Sequence, residues 1–342
     1  MKNSKINTLI IGLGQIGFKY DFSIKYEIDN PESSKKIITH ARSVVCHPDF
    51  NLAAGIDNNK EACKSFNLVY KNPTYSDINS FLSSEQTKID LVIIAVNPHN
   101  QPKLIEEVIN KINPKVLLIE KPIAISIQEA RKVELLCKKK PDLVVCINYG
   151  RRYLPLVQKW SKLINSGEVG EFLYGNIIYG KGIISNGSHF LNLAQIWINN
   201  LEYLKTFDKG KKINDFDREA SFILKCKNKK SLLSVYSIGS NNLRAGEIDL
   251  WFEGGRLCFL NNGKSLYFWP RLRTKSLIET HDSLAEIPKV YSTNNEKSQY
   301  FVIDSIKNIF HGNDKINLPC SLNEGLETMS IINNALKSQN LK

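Results

Sequence analysis

Apolar and polar positions alternate along the chain in two regimes. Up to about residue 148, short apolar runs (Leu9-Ile10-Ile11, Leu91 to Val96, Val116 to Ile119, Leu143 to Ile147) stand apart by the length of a helix. Runs of that kind are strands buried on both faces. Between them, Leu104, Ile105, Val108 and Ile109 recur at helical spacing within Pro102–Ile112. Ala130, Val133 and Leu136 do so after Ser126, where Ser126 and Glu129 form a capping box. A second strand is expected over 51–56 and a helix over 58–66. Strand–helix repetition of this kind predicts a doubly wound parallel sheet.

Beyond about 149 the pattern changes. Helices are expected over 154–165 and 188–197, with a strand at 172–179. Strands then dominate at 220–226, 231–238, 247–253, 256–260 and 265–269, and helices close the chain at about 297–310 and 322–338. Short polar turns between the later strands predict a mostly antiparallel sheet. The fold class expected is α/β: a Rossmann domain over 1–148, then an α+β domain over 149–342 that carries substrate and subunit contacts. The last helix is a candidate to pack back on the first domain. At 342 residues the chain suits two domains.

One helix is missing from this scheme. After the first strand, Gly12, Gly14 and Gly17 have the G-x-G-x-x-G spacing of a dinucleotide turn, with Gln15 and Ile16 offering N–H groups to a pyrophosphate. The helix that should follow does not continue. Tyr20 to Lys36 is polar and contains Pro31, and periodicity resumes only at Thr39. An insertion over about 20–38 is expected, either a surface loop or a flap over ligand. Asp57, ending the second strand, stands where an acidic residue takes the adenosine ribose; it can also cap the next helix. No Arg follows it, which favours NAD over NADP.

The net charge is +12. It is dispersed and accompanies no nucleic-acid motif, so it fits an anionic small molecule better than a polynucleotide. The 7 cysteines are scattered, never in C-x-x-C spacing, and read as reduced core residues. No His/Cys grouping suggests a metal. No apolar run approaches the ~18 residues of a membrane span, and Met1–Lys5 leads straight into a strand, so a cytoplasmic chain is expected.

Lys121, at the end of the fifth strand, sits where a Rossmann sheet opens its ligand crevice. A lysine there can take or return a hydroxyl proton during hydride transfer; it can also be an ordinary surface lysine before a proline. Gly12-x-Gly14-x-x-Gly17, Glu120-Lys121-Pro122, Arg151-Arg152-Tyr153-x-Pro155, Gly167-x-x-Gly170 and Gly187-Ser188-His189 follow in order. Together they resemble the glucose–fructose oxidoreductase / inositol dehydrogenase family (Gfo/Idh/MocA) over nearly the whole chain.

That resemblance implies NAD(P)-dependent redox chemistry on a secondary alcohol or ketone of a sugar, a nucleotide sugar for surface polysaccharide included. It also implies a homo-oligomer, dimer or tetramer, formed through the open face of the large sheet. Lys121 and His189 match the catalytic pair, and the Lys121–Pro122 bond is one that can be cis. Asn97, Gln101, Glu120 and Lys121 fall on the cofactor side. Arg152, Lys181, Ser185, Asn186 and His189 fall on the substrate side, where Arg152 could equally be a structural partner. The chain departs from the pattern at two positions. Ser185 stands where many members carry Asp, and Asn192 replaces a second Asp. A non-catalytic NAD or sugar sensor, and NAD-dependent oxidation–elimination chemistry, are the alternatives.

Overall fold

The computed structural model describes residues 5–21, 36–84, 87–227, 230–239, 243, 245–273, 281–312 and 320–337. Its contacts divide the chain into two compact units, 1–153 with 296–326 and 154–295 with 327–342.

In the first unit the chain runs β1 (Ile6–Ile11), α1 (His40–Val45), β2 (Phe50–Ile56), α2 (Lys60–Tyr70), β3 (Thr74–Tyr75), α3 (Ile78–Ser84), β4 (Leu91–Ile94), α4 (Gln101–Lys111), β5 (Val116–Ile119), α5 (Ile127–Lys138) and β6 (Val144–Ile147). The strands form one parallel sheet in the order β3-β2-β1-β4-β5-β6. The apolar runs supply its middle: Leu9, Ile10, Leu91 to Ile94 and Val116 to Ile119 are all fully buried. Ser126 caps α5 by accepting Glu129 N–H at 3.2 Å, one half of the expected capping box. The cap of α2 is Asn59, not Asp57, because the Asn59 side chain accepts the Glu61 and Ala62 N–H groups. The β3–α3 step carried no readable periodicity; its strand is two residues long.

The interrupted first helix has a definite form. The turn from Gly14 to Asp21 accepts helix-type bonds from Phe18, Lys19 and Tyr20. α1 then docks on that turn: His40 N–H donates to Ile16 O at 3.0 Å, and Ala41 N–H to Gly17 O at 2.9 Å. These are the bonds a continuous helix would make from its own next residues. The helix is thus spliced across the expected insertion. The base of the splice is closed by buried Asp21, which accepts Thr39 N–H at 3.0 Å and the Thr39 hydroxyl. Burial pushes the Asp21 carboxyl above its ordinary range, with the Thr39 bonds and the nearby Arg42 charge opposing this. The flap or loop expected over 20–38 lies outside the described residues except at these ends.

The second unit contains α6 (Pro155–Asn165), β7 (Phe172–Tyr179), α7 (Ser188–Trp197), β8 (Leu201–Asp208), β9 (Ser221–Cys226), β10 (Leu232–Ser237), β11 (Gly246–Phe252), β12 (Gly255–Leu260), β13 (Ser265–Leu272), β14 (Ser283–Leu284) and β15 (Lys289–Ser292). They form a nine-stranded sheet, β14-β13-β12-β11-β7-β10-β9-β8, with β15 beside β13. All pairings are antiparallel except β7 with β10. One sheet face is core: Ile177, Leu233, Ile248, Leu257 and Phe259 are buried. Trp197 of α7 meets Phe259 edge-on at 5.8 Å, and Trp160 of α6 meets Phe268 at 4.7 Å.

α8 (Ser298–Phe310) belongs to the first unit, although the sequence placed everything after 149 in the second region. Its buried Val302, Ile303 and Ile306 form the apolar stripe of a helix packed on α1 and the turn Gly150–Tyr153. The division falls at 326/327, within α9 (Leu322–Lys337).

Candidate active site

The glycine turn leaves β1 at the switch point of the parallel sheet, where the strand order reverses between β1 and β4. Gly12 has φ +101°, and a Cβ there would collide with the Ala95 carbonyl; a Cβ on Gly17 would collide with the Gly12 carbonyl. Both positions therefore need glycine. The Gly14 α-carbon, by contrast, faces open space, with no atom within 4 Å of where a Cβ would lie. That space is part of a cleft of about 560 Å³ lined by Gly12, Gly14, Asp57, Asp77, Asn97 and Lys103 among others. The turn, the open backbone and the carboxylate are what a dinucleotide requires, so the residues present fit NAD.

Asp57 holds the turn in place. Its Oδ2 accepts Leu13 N–H at 2.7 Å and its Oδ1 accepts Asn59 N–H at 2.8 Å. A carboxylate oxygen can accept more than one bond, so ribose hydroxyls can still be received. Asp77, beside it on the cleft wall, was not singled out in the sequence. The Ser80 N–H and the Ser76 hydroxyl hold its carboxyl below the ordinary range. Asn97 Oδ1 accepts His99 N–H at 3.0 Å, a local turn at the rim. Gln15 is exposed and Ile16 half-buried, and both carbonyls are used by the splice described above.

At the end of β5 the picture differs from a set of cofactor contacts. Glu120, 13% exposed, receives His40 Nε2 at 2.8 Å and Asn148 Nδ2 at 2.6 Å. Asn148 also donates to Gln299 Oε1 at 3.3 Å. Burial opposes the Glu120 charge, but the His40 bond and charge, Asn148 and Lys121 together bring its carboxyl below the ordinary range. Glu120 is thus the centre of a polar chain from α1 through β5 and β6 to α8. His40 and Asn148 carry no motif, and only the fold brings them together. The Lys121–Pro122 bond is cis. Gln101, fully buried, donates to Pro122 O at 2.7 Å and braces that turn rather than lining the cleft. Lys121 itself is half-buried.

Arg152 is buried and ion-paired with Glu324, the structural alternative. Burial opposes its charge; Cys320 and Glu324 nearby more than restore it.

The remaining candidates lie in the second unit, on the turn before α7 and on α7 itself. Asn186 is 3% exposed, and its Nδ2 donates to Gly180 O at 2.9 Å and Ala245 O at 2.6 Å. Both donors are consumed by the backbone, so Asn186 shapes the turn. Asn192 donates to Thr328 Oγ1 at 3.0 Å. Lys181 is exposed, with φ 65°, and its N–H donates to Glu219 Oε1 at 2.9 Å. His189 is half-buried. Ser185 is exposed and bonded to Asp217, a residue no sequence signal marked.

A parallel sheet in this order, a glycine turn at its switch point and an acidic residue ending β2 define an NAD-binding Rossmann protein. Comparison with known proteins agrees. Residues 6–149 match the model of the GFO_IDH_MocA family, described as an oxidoreductase family with an NAD-binding Rossmann fold. Residues 6–149 thus carry the NAD-binding Rossmann domain of an oxidoreductase family, which supports an NAD(P)-dependent oxidoreductase. No curated protein sequence matches.

Several solved structures share the fold at low identity. WlbA dehydrogenase from Bordetella pertussis, in complex with NADH and UDP-GlcNAcA, is 13% identical, with a TM-score of 0.76 over 99% of this chain and 96% of that one. An oxidoreductase from Sinorhizobium meliloti is 13% identical, with a TM-score of 0.74 over 98% of each chain. A variant of KijD10, a 3-ketoreductase from Actinomadura kijaniata, in complex with TDP-benzene and NADP, is 11% identical, with a TM-score of 0.70 over 97% of each chain. Among the described residues no helix is long and apolar enough to cross a membrane, and no His, Cys, Asp and Glu group could hold a metal.

Proposed function

We propose that the protein is a cytoplasmic sugar dehydrogenase or ketoreductase that uses NAD in preference to NADP, with a nucleotide sugar as the favoured substrate class. The observation carrying this reading is a glycine-turn cleft walled by Asp57, within the same unit as Lys121 at the end of β5. Bound NAD would supply the hydride acceptor. Lys121 takes the proton of the reacting hydroxyl, or returns it in reduction, and His189 assists on the substrate side. The basic chain, with exposed Lys181, suits an anionic substrate. Structural neighbours described with UDP-GlcNAcA and TDP-benzene support the same class.

The cofactor preference follows from charge. Asp57 and Asp77 both line the cleft, and a 2′-phosphate would meet two carboxylates there. Titrated by fluorescence transfer from the 4 tryptophans, NADH is expected to bind at least about tenfold more tightly than NADPH, since one like-charge contact of ~1.4 kcal/mol suffices. Asp57→Asn should narrow the gap. Equal affinities would remove the assignment of Asp57.

The open face of the nine-stranded sheet supports self-association. Arg256 is bonded to Asp249 at 2.9 and 2.6 Å and lies between Trp251 and Trp269, 5.2 and 5.4 Å from their rings. Tyr267 stacks on Trp269, and Tyr174 pairs with Trp251 across β7 and β11. Aromatic residues with a paired Arg are the composition of interface cores. Light scattering should give the mass of a dimer or tetramer, and Trp251→Glu the mass of one chain. A wild-type monomer at micromolar concentration would exclude this assembly.

A further inference from the structure

A second cleft, of about 480 Å³, lies wholly within the second unit. It is nearly as large as the glycine-turn cleft of about 560 Å³, and small-molecule sites run from about 300 to 1,000 Å³. It stands at the end of the nine-stranded sheet opposite the turn before α7. β7 starts in it at Phe172 and leaves at Tyr179 toward that turn, about 25 Å away at the rise of a strand. α7 begins at that turn and ends in the cleft, at Trp197. The floor is apolar. Phe172 and Phe252 meet edge-on at 5.9 Å, and both are buried, as is Trp197.

The rim is polar and electronegative. α6 and α7 both end on it, and a helix C-terminus carries partial negative charge. The end of α6 is closed by the chain that follows: Ser166, Gly167 and Glu168 N–H groups return to Lys162, Ile164 and Leu163 O. The end of α7 is open. Its Ala194 and Ile196 carbonyls accept Ile198 N–H and the Ser161 hydroxyl, but those of Gln195 and Trp197 receive no bond from a described residue. The Gly167-x-x-Gly170 turn adds a carboxylate. Glu253 Oε2 accepts Glu171 N–H at 3.1 Å, and a Cβ at Gly170 would collide with it. Glu253 has no ion-pair partner among the described residues. Arg271 pairs with Asp282, and Lys227, at the rim, lies 3.8 Å from Glu202. Asn199 Nδ2 donates to Asn165 Oδ1 at 3.2 Å, and the Asn200 side chain bonds to no described residue. Amides both donate and accept, which matches hydroxyl groups. We propose that this cleft binds an amine-bearing polyol, such as an amino sugar. Its ammonium lies at Glu253 and the open end of α7, and its hydroxyls meet the amides of Asn199 and Asn200. The same field repels a phosphate, so phosphorylated sugars are rejected. The site is separate from the proposed hydride transfer. Its occupant acts on His189 only through α7, about 15 Å long.

Calorimetric titration of the full chain tests this, with D-glucosamine, D-glucose and D-glucose 6-phosphate as probes, at slightly acid pH where the amine is protonated. Glucosamine is expected to bind at least about tenfold more tightly than glucose, the factor one charge-assisted hydrogen bond supplies. Glucose 6-phosphate should bind least. Glu253→Gln keeps the oxygen that holds Glu171 N–H and removes the charge. It should weaken glucosamine by about 3- to 10-fold, a modest loss because the contact is exposed. Asn200→Gly, which suits the φ of 59° there, should weaken it by a similar factor. Both residues are exposed, and melting temperatures show whether each variant folds; if one does not, the other decides. Lys121→Ala should leave glucosamine affinity unchanged. A loss in Lys121→Ala with none in the two cleft variants would place the sugar in the catalytic cleft and overturn the proposal. Equal affinity for glucosamine and glucose also overturns it, as does wild type that binds no glucosamine. NADH affinity in the same preparation decides separately whether the oxidoreductase reading stands.

Discussion

Lys121→Ala is expected to lower kcat by about 10²–10⁴-fold, the usual contribution of a general acid or base, while NADH affinity stays near that of wild type. The reasoning is positional. Lys121 follows β5 directly, and β5 lies in the half of the sheet whose strand ends open toward the switch point. The turn beyond it is held by Gln101, which donates to Pro122 O from inside the core. The proposed cofactor cleft is lined by other residues, Gly12, Gly14 and Asp57 among them. A loss confined to kcat marks proton transfer, since an interaction made only in the transition state lowers kcat and kcat/KM together. A non-catalytic sensor would show no turnover to lose and an unaltered ligand response. Ser185 and Asn192 standing where acidic residues are usual make that comparison worth running first. Single-turnover absorbance at the NADH band, in wild type and variant, is the measurement.

His40→Leu should have the largest effect on stability, a loss of about 2–3 kcal/mol near neutral pH. Hydrogen bonds to a charged group are worth about 1.5–3 kcal/mol, and removing one partner strands the other's charge in the interior. Glu120 would keep Asn148 but lose the His40 bond. The effect is pH-dependent. Glu120 has its folded-state carboxyl pKa lowered from an ordinary 4.5. A carboxyl of this kind adds stability that is complete above its unfolded pKa and disappears as pH falls through the lower folded value. The gap between wild type and His40→Leu in urea denaturation should therefore be full at pH 6–7, to order of magnitude, and shrink below pH 4.5. A gap that stays constant down to acid pH would show that lost packing, not the hydrogen bond to the Glu120 carboxylate, sets the cost. Because His40 opens α1 directly after the splice, the same variant should also loosen the glycine turn, visible as weaker NADH binding.

These two residues mark the boundary between what was legible and what was not. Lys121 announced itself: an apolar run, then Glu-Lys-Pro, is a local pattern. His40 did not, because a lone histidine in a short helix has no signature of its role. Its partner Glu120 is distant in sequence, and Asn148 and Gln299 are brought in by two further elements. The place of Glu120 on the cofactor side was legible from the motif, whereas its hydrogen-bond partners His40 and Asn148 were not.

Sequence alone sufficed for the elements whose signals are local. Continuous apolar runs require burial on both faces, so the central parallel strands could be read directly. The glycine spacing, the capping box at Ser126 and the long periodic helices rest equally on neighbours a few residues away. It also showed that the first crossover was interrupted. Tertiary structure alone decided how that interruption is closed, through Asp21 with Thr39 and α1 with the glycine turn. It alone paired β7 with β10 in parallel, returned α8 to the first unit, and turned Arg152, Asn186 and Gln101 into structural residues. It alone set the Asp217 carboxylate under Ser185. The physical reason is common to all of these. A buried polar group must find its partners wherever the packed chain delivers them, and a sequence records which groups need partners but not which ones the fold will bring.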